Sequence, residues 1–411
     1  DLWHGVTDKD NSQVWEQDTL VNVFSCTKPL GAVALLQQVQ AGRIGLDAAL
    51  TDIWPEFAQA GKQAISLRQI LSHRSGLSAI SAPLAPEALF DWQAMTAALA
   101  AQAPWWTPDS EHGYAPLTYA WLLGEPLRRL TGQMPGDYLR EQVCQPLGMD
   151  FHVGAADADL PRIAHISRLR NQSGDEYARA LFSAMGDAEG LAFKAFANPS
   201  SLQTSTNKRE WQQAQILAAN GTGNARSLAR FRQALAHDGQ LGDVRLLDSE
   251  LVRLMRREHS AGDDLTLLCP TRFGLGVMLE QDWQGGSFGM GANAFGHPGA
   301  GGSLGFADPD AKGGDLVSLL ACLRGCSQLD AAKEIDGRLG LGFSSGSAPE
   351  PLHEWLMHAG HLYRGEADGN RPDRMYALEL QPGVRLVNVH VLDHGCGQWQ
   401  RYLAFRDHLR T

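Results

Sequence analysis

The stretch Thr19-Leu20-Val21-Asn22-Val23-Phe24-Ser25-Cys26-Thr27-Lys28-Pro29-Leu30-Gly31-Ala32-Val33-Ala34-Leu35-Leu36-Gln37-Gln38-Val39 decides how this chain is read. Thr19 to Phe24 is mostly apolar and β-branched, which favours extended backbone. Leu30 to Val39 is a buried-helix pattern, closed by Gly42. Pro29 lies in the first turn, where a missing N–H costs little. Ser25 therefore sits where extended chain turns into helix, and free N–H groups and the helix dipole favour negative charge there. Ser25 and Lys28, three residues apart, share one helical face. A nucleophilic serine needs a base within reach, and Lys28 is one turn away. The competing reading makes Ser25 an N-cap and Lys28 a solvated cation. Spacing alone does not choose between them, because Ser205-Thr206-Asn207-Lys208 repeats it. That second copy lies in a polar stretch that reads as a loop, with Ser205 a candidate cap for a helix around Trp211.

The chain has 411 residues, of which 44% are hydrophobic, enough to bury a large core in two lobes. Its net charge is −11 and no basic block appears, which argues against nucleic acid as a partner. No apolar run approaches a membrane span, and no signal peptide is visible. The expectation is a cytoplasmic protein whose N-terminus is truncated within a domain. The six cysteines, Cys26, Cys144, Cys269, Cys322, Cys326 and Cys396, have no disulfide rhythm and suit a reducing compartment. Cys322 with Cys326, and His390 and His394 with Cys396, are isolated groupings that read as structural or surface residues. We expect neither a metal nor another cofactor.

Along the chain, residues 1–24 read as strand and turn, and residues 26–42 as the opening helix. Ser66 caps a short helix that runs into Ser72-His73-Arg74-Ser75-Gly76, read as a polar turn held by its own side chains. Helical patterns follow at 86–103, from Tyr119 to Leu130 ahead of Gly132, from Asp137 to Val143, and from Ser227 to Asp238. Phe273-Gly274-Leu275-Gly276-Val277-Met278-Leu279 has strand character. Residues 285–305 are glycine-rich and end in the turn Asp308-Pro309-Asp310. The expected fold is α/β or α+β: an antiparallel sheet flanked by helices, formed by residues 1–50 and 211–411, with a mostly helical lobe over 51–210.

Three stretches fall in a telling order: Ser25-Cys26-Thr27-Lys28, then Tyr114-Ala115-Pro116 before a helix, then His297-Pro298-Gly299-Ala300-Gly301-Gly302. In this order they resemble the serine β-lactamase and penicillin-binding-protein superfamily, with its Ser-x-x-Lys, Tyr-x-Asn and Lys-Thr-Gly or His-x-Gly motifs. Leu71-Ser-His-Arg-Ser-Gly-Leu77, Pro146-Leu-Gly-Met149 and the Asn220-Gly221 region add to the likeness. It covers about residues 1–311 and is nearest to the family VIII carboxylesterases, which share the class C β-lactamase fold.

The resemblance implies an acyl-enzyme on Ser25. Either Lys28, with its pKa lowered, or Tyr114 as a phenolate held by Lys28 would take the serine proton. The oxyanion hole implied is the backbone N–H of Ser25 and of Ala300. His297, Gly299 and Gly301 fall at substrate-binding positions, the glycines letting substrate approach the strand edge.

Two departures bear on the substrate. Pro116 replaces the Asn that β-lactamases use on the amide, and His297 replaces the Lys that helps to hold a carboxylate. Pro116 offers no side-chain hydrogen bond, and His297 is a weaker, pH-dependent cation. Both favour a neutral, small-molecule ester over an anionic amide. The alternatives are a β-lactamase or D-alanyl-D-alanine carboxypeptidase, and a silent binding protein of the same fold. The sequence does not indicate an oligomeric state. A rival motif, Gly301-Gly302-Ser303-Leu304-Gly305, matches Gly-x-Ser-x-Gly, but that elbow needs a helix after the serine, and extended chain follows here. After Asp310 the resemblance ends. Asp315–Leu323 reads as a strand and Trp399–Leu409 as a closing helix, within a tail that looks divergent or frame-altered.

Overall fold

The computed structural model describes residues 12–167, 176–203, 205–281, 288 and 292–310, six of the first ten residues, and the backbone of Val387–His390. The expected strand and helix of the tail, Asp315–Leu323 and Trp399–Leu409, lie outside these residues, as do Cys322, Cys326, His394 and Cys396.

Helix α1 (Lys28–Gln40) is the centre of the molecule. Every residue from Lys28 to Leu36 is buried, as expected of a helix apolar all round. Leu30, Leu35 and Leu36 are wholly enclosed, each contributing roughly 1.5–3 kcal/mol through apolar burial. Helices α2 (Leu67–Leu71) and α3 (Trp92–Ala101) precede α4 (Tyr119–Thr131), which lies against α1. Gly31 permits that approach: a Cβ there would stand 3.3 Å from Leu123 of α4 and 3.4 Å from Leu217. Ser66 caps α2 as expected, and Gln69 returns the bond to complete a capping box.

Helices α5 (Pro135–Leu139), α6 (Glu176–Ala184), α7 (Leu191–Ala197) and α8 (Arg209–Gln213) follow, then α9 (Ala225–Ala236) and α10 (Ser249–Met255). Lys208, not Ser205, occupies the N-cap of α8, and no side chain caps it. Ser205 is buried instead, so the second Ser-x-x-Lys is neither a cap nor a pair on one helix.

The principal sheet is antiparallel. It contains β6 (Ser260–Asp263), β7 (Pro270–Phe273), β8 (Met278–Leu279), β9 (Phe295–Pro298), β10 (Leu304–Ala307) and β11 (Val387–His390), side by side in that order. Helix α9 lies across β10 and β11, and α1 reaches β9. The run from Phe273 to Leu279 is not one strand. Gly274 N–H bonds to Val277 O, and Gly276, at φ +74°, turns the chain between β7 and β8. Apolar alternation there reflects a buried corner, which periodicity does not distinguish from a strand.

The extended segment before Ser25 does not join this sheet. Val21–Asn22 (β1) pairs with Thr222–Gly223 (β3), which also pairs with Phe151–His152 (β2). A separate two-stranded ribbon joins β4 (Gln240–Leu241) to β5 (Val244–Arg245). Among the described residues, no helix is long and apolar enough to cross a membrane.

Candidate active site

Ser25 stands in a 3-10 turn, Phe24–Thr27, that leads directly into α1. Phe24 holds φ +46°, a left-handed conformation that costs a non-glycine residue roughly 1–3 kcal/mol. The surroundings hold the turn in place. Val23 N–H bonds to Gly221 O at 2.8 Å, and Thr27 Oγ1 accepts from Gly221 N–H at 2.9 Å. Asn22 Nδ2 donates to Ala219 O at 2.8 Å, while Trp211 Nε1 donates to Asn22 Oδ1 at 2.7 Å. The Asn220-Gly221 stretch thus works as the wall of the serine turn.

Three side chains meet there. Lys28 Nζ lies 3.1 Å from Ser25 Oγ, and Tyr114 Oη donates to Ser25 Oγ at 2.7 Å. Lys28 Nζ also lies 2.9 Å from the carbonyl oxygens of both Pro116 and Ala218. Lys28 is 0% exposed, and this desolvation holds its pKa well below the usual lysine value. Its Nζ donates to both carbonyls and stands within hydrogen-bond reach of Ser25 Oγ; in the neutral form the position facing the serine is a lone pair able to take its proton.

Burial pushes Tyr114 the other way, well above its ordinary value, so it rests as a phenol. Lys28 Nζ lies over the Tyr114 ring, 4.7 Å from its centroid, and makes no hydrogen bond to the hydroxyl. Both bases left open by sequence lie within hydrogen-bond distance of Ser25 Oγ, Lys28 Nζ at 3.1 Å and Tyr114 Oη at 2.7 Å.

His297 departs from expectation. It is 1% exposed, and desolvation, Lys28 and Arg232 hold its pKa well below the ordinary histidine value. It is a neutral imidazole packed 5.7 Å from the Tyr114 ring, with Nδ1 donating to Pro298 O at 2.7 Å, and not a cation offered to substrate. Gly299 also serves a different purpose. It is buried, and a Cβ there would stand 2.3 Å from Val23 O, so the glycine lets the end of β9 close on the serine turn. Ala300 and Gly301 are exposed, in the turn that joins β9 to β10. Ser303 immediately precedes β10, with strand, not helix, after it, and so lacks the setting of a nucleophile elbow.

Cys26 follows the serine but is enclosed. Its thiol donates to His297 O at 3.1 Å, and burial pushes its pKa up to about 12. Among the described residues, no group of His, Cys, Asp and Glu could hold a metal ion.

These features agree with what the chain resembles. The beta-lactamase family model matches residues 1–322. The chain belongs to the beta-lactamase family. Esterase/beta-lactamase LipL of Mycobacterium tuberculosis is 30% identical over 313 residues, covering 75% of this chain and 71% of that protein. The crystal structure of a penicillin-binding protein homolog from Caulobacter crescentus is 37% identical, with a TM-score of 0.67 over 74% of this chain and 79% of that one. A family VIII carboxylesterase structure is 32% identical, with a TM-score of 0.67 over 75% of this chain and 79% of that one. This member of the beta-lactamase family has the mixed helix and antiparallel-sheet fold of those neighbours.

Two more residues flank the site, and of these Asp264 is not singled out by sequence. His73, expected in a polar turn, is buried at φ +62°. Its ring packs on Tyr114, Tyr119 and Phe273, and Nδ1 accepts Ala115 N–H at 3.2 Å. Asp264 is 1% exposed and takes Tyr114 N–H on both carboxylate oxygens, at 3.0 and 2.9 Å.

Proposed function

We propose that this chain is a serine carboxylesterase working through an acyl-enzyme on Ser25. The observation that carries the reading is the placement of Ser25 Oγ between a desolvated amine, Lys28, and a phenol, Tyr114. Lys28 takes the Ser25 proton as Oγ attacks the ester carbonyl carbon. The backbone N–H groups of Ser25 and Ala300 receive the oxyanion. The ester C–O bond then breaks, and the alcohol leaves with a proton relayed through Lys28 and Tyr114. Water then attacks the acyl carbon and gives a proton to the same pair; the carbon–Oγ bond breaks, the pair returns that proton to Ser25 Oγ, and the carboxylic acid leaves.

An ester is favoured over an anionic β-lactam or peptide because the residues at the two recognition positions are uncharged. Pro116 supplies no side-chain donor, and His297 is neutral. The likeness to a family VIII carboxylesterase and to a protein named both esterase and beta-lactamase supports the same reading.

Hydrolysis of p-nitrophenyl butyrate and of a chromogenic cephalosporin, by wild type, Ser25→Ala and Ser303→Ala, tests this. The expected result is ester turnover that drops at least about a thousandfold in Ser25→Ala and persists in Ser303→Ala. Cephalosporin turnover without ester turnover would replace the substrate class with β-lactams. Loss confined to Ser303→Ala would overturn the site. Silence towards both substrates by folded wild type would return a binding-only protein.

A further inference from the structure

We infer that Asp264 is a positioning residue for Tyr114: its buried carboxylate fixes the backbone from which the phenol reaches Ser25. This deepens the reading of Ser25, Lys28 and Tyr114 as the reacting groups and rests on it.

Tyr114 lies in a segment without regular secondary structure, ahead of α4. No helix or ladder hydrogen bond holds its backbone, so outside groups must do so. Gly113 N–H bonds to His73 O at 3.1 Å, and Ala115 N–H to His73 Nδ1 at 3.2 Å. Tyr114 N–H, between them, is taken among the described residues by Asp264 alone, at 3.0 and 2.9 Å.

Asp264 is itself fixed. Its Oδ1 accepts from Thr266 N–H and Leu267 N–H, both at 2.8 Å, and its Oδ2 accepts from Thr271 Oγ1 at 3.1 Å. His112 Nε2 lies 2.8 Å from the same Thr271 hydroxyl. Leu265 N–H bonds back to His112 O at 3.1 Å, joining the two loops a second time. The carboxylate is thus a hub on which the Tyr114 segment and the loop between β6 and β7 converge.

A carboxylate suits this position for a chemical reason. Both of its oxygens accept, so Tyr114 N–H meets an acceptor on either side. The near-isosteric Asn keeps one oxygen for Thr266 and Leu267, but sets an NH2 group against Tyr114 N–H. The phenol must stay within hydrogen-bond reach of Ser25 Oγ, and a displacement of about 1 Å at a reacting group costs up to about a hundredfold in rate.

The test is a double-mutant cycle read by the second-order rate of Ser25 labelling with a fluorophosphonate and by kcat on p-nitrophenyl butyrate. Asp264→Asn is expected to lower both rates roughly tenfold to a hundredfold with KM nearly unchanged, and to have little further effect in the Tyr114→Phe background. Thr271→Val, which loosens the carboxylate but leaves its charge, is expected to lower the rates a few-fold in wild type and not in Tyr114→Phe. It keeps the question answerable if Asp264→Asn fails to fold. Equal losses in both backgrounds would overturn the positioning role while leaving the Ser25 site intact. Labelling that persists in Ser25→Ala would instead overturn the reading of the site.

Discussion

The hydroxyl of Tyr114 stands 2.7 Å from Oγ of Ser25, although the two residues are 89 positions apart. Ser25 and Lys28 belong to one turn of chain, so their proximity is local. Tyr114 arrives from the other side, carried on a segment held by His73 and Asp264. The serine is therefore enclosed by groups of unlike origin, and this enclosure sets the ionisation states on which the chemistry depends.

Lys28 should govern the acid limb of the pH–rate profile. Its pKa is depressed well below 10.5, so the reactive neutral amine is present at lower pH than for an ordinary lysine. Activity is expected to fall as pH drops through that depressed value. The stability linkage has the matching sign. A depressed folded pKa means that the unfolded chain binds a proton that the native one excludes. The contribution is full above the unfolded value, near 10.5, and is lost as pH falls to the folded one. Lys28→Met should lower kcat by about 10²–10⁴ and remove both pH effects, measured by pH–rate profiles and by thermal melting across the neutral to alkaline range. An acid limb unchanged in Lys28→Met would count against Lys28 as the base.

Gly299 and Gly301 should behave differently when given a methyl group. At Gly299 a Cβ would stand 2.3 Å from Val23 O, against backbone of the serine turn. Gly299→Ala should cost roughly 1–3 kcal/mol and depress activity as the turn shifts. Gly301 has φ +86° and nothing within 4 Å, so Gly301→Ala should cost only about 1 kcal/mol through backbone strain. Paired denaturation and activity assays compare the two. A Gly299→Ala protein as stable and active as wild type would contradict the close contact.

Cys26 should be inert to alkylation in the folded protein. Its thiol is enclosed, hydrogen-bonded to His297 O, and pushed up to about 12. Cys269 is only partly buried. Iodoacetamide followed by peptide mass analysis should modify Cys269 well before Cys26, since the thiolate is the reacting form. Faster labelling of Cys26 would show that the turn opens.

Arg232, on α9, is 0% exposed, and among the described residues none of its three side-chain nitrogens has a hydrogen-bond partner. Desolvation lowers its pKa to about 10. An unpaired buried guanidinium destabilises a fold, and apolar replacements of buried charges are often neutral or stabilising by about 1–4 kcal/mol. Arg232→Met should therefore melt at or above the wild-type temperature. A marked loss of stability would reveal a counter-charge for this cation.

The local parts of the architecture were legible from the chain alone. The apolar run after Pro29 announced α1, and Ser66 announced a capped helix. The order of Ser25–Lys28, Tyr114 and His297–Gly299 announced the family. Asp264 was readable only as a local turn residue, because its bonds to Thr266 and Leu267 are near in sequence. Its bond to Tyr114, 150 positions away, left no local trace.

Which groups occur and which share a helical face follow from the order of residues, because spacing along a helix is a short-range property. Their chemical state follows from the packing of distant segments. The same lysine would be a solvated cation on an exposed helix, and here its pKa is lowered because distant segments shut water out. His297 passes from the expected cation to a neutral ring for the same reason. Desolvation depends on everything packed around a group, and most of that comes from elsewhere in the chain.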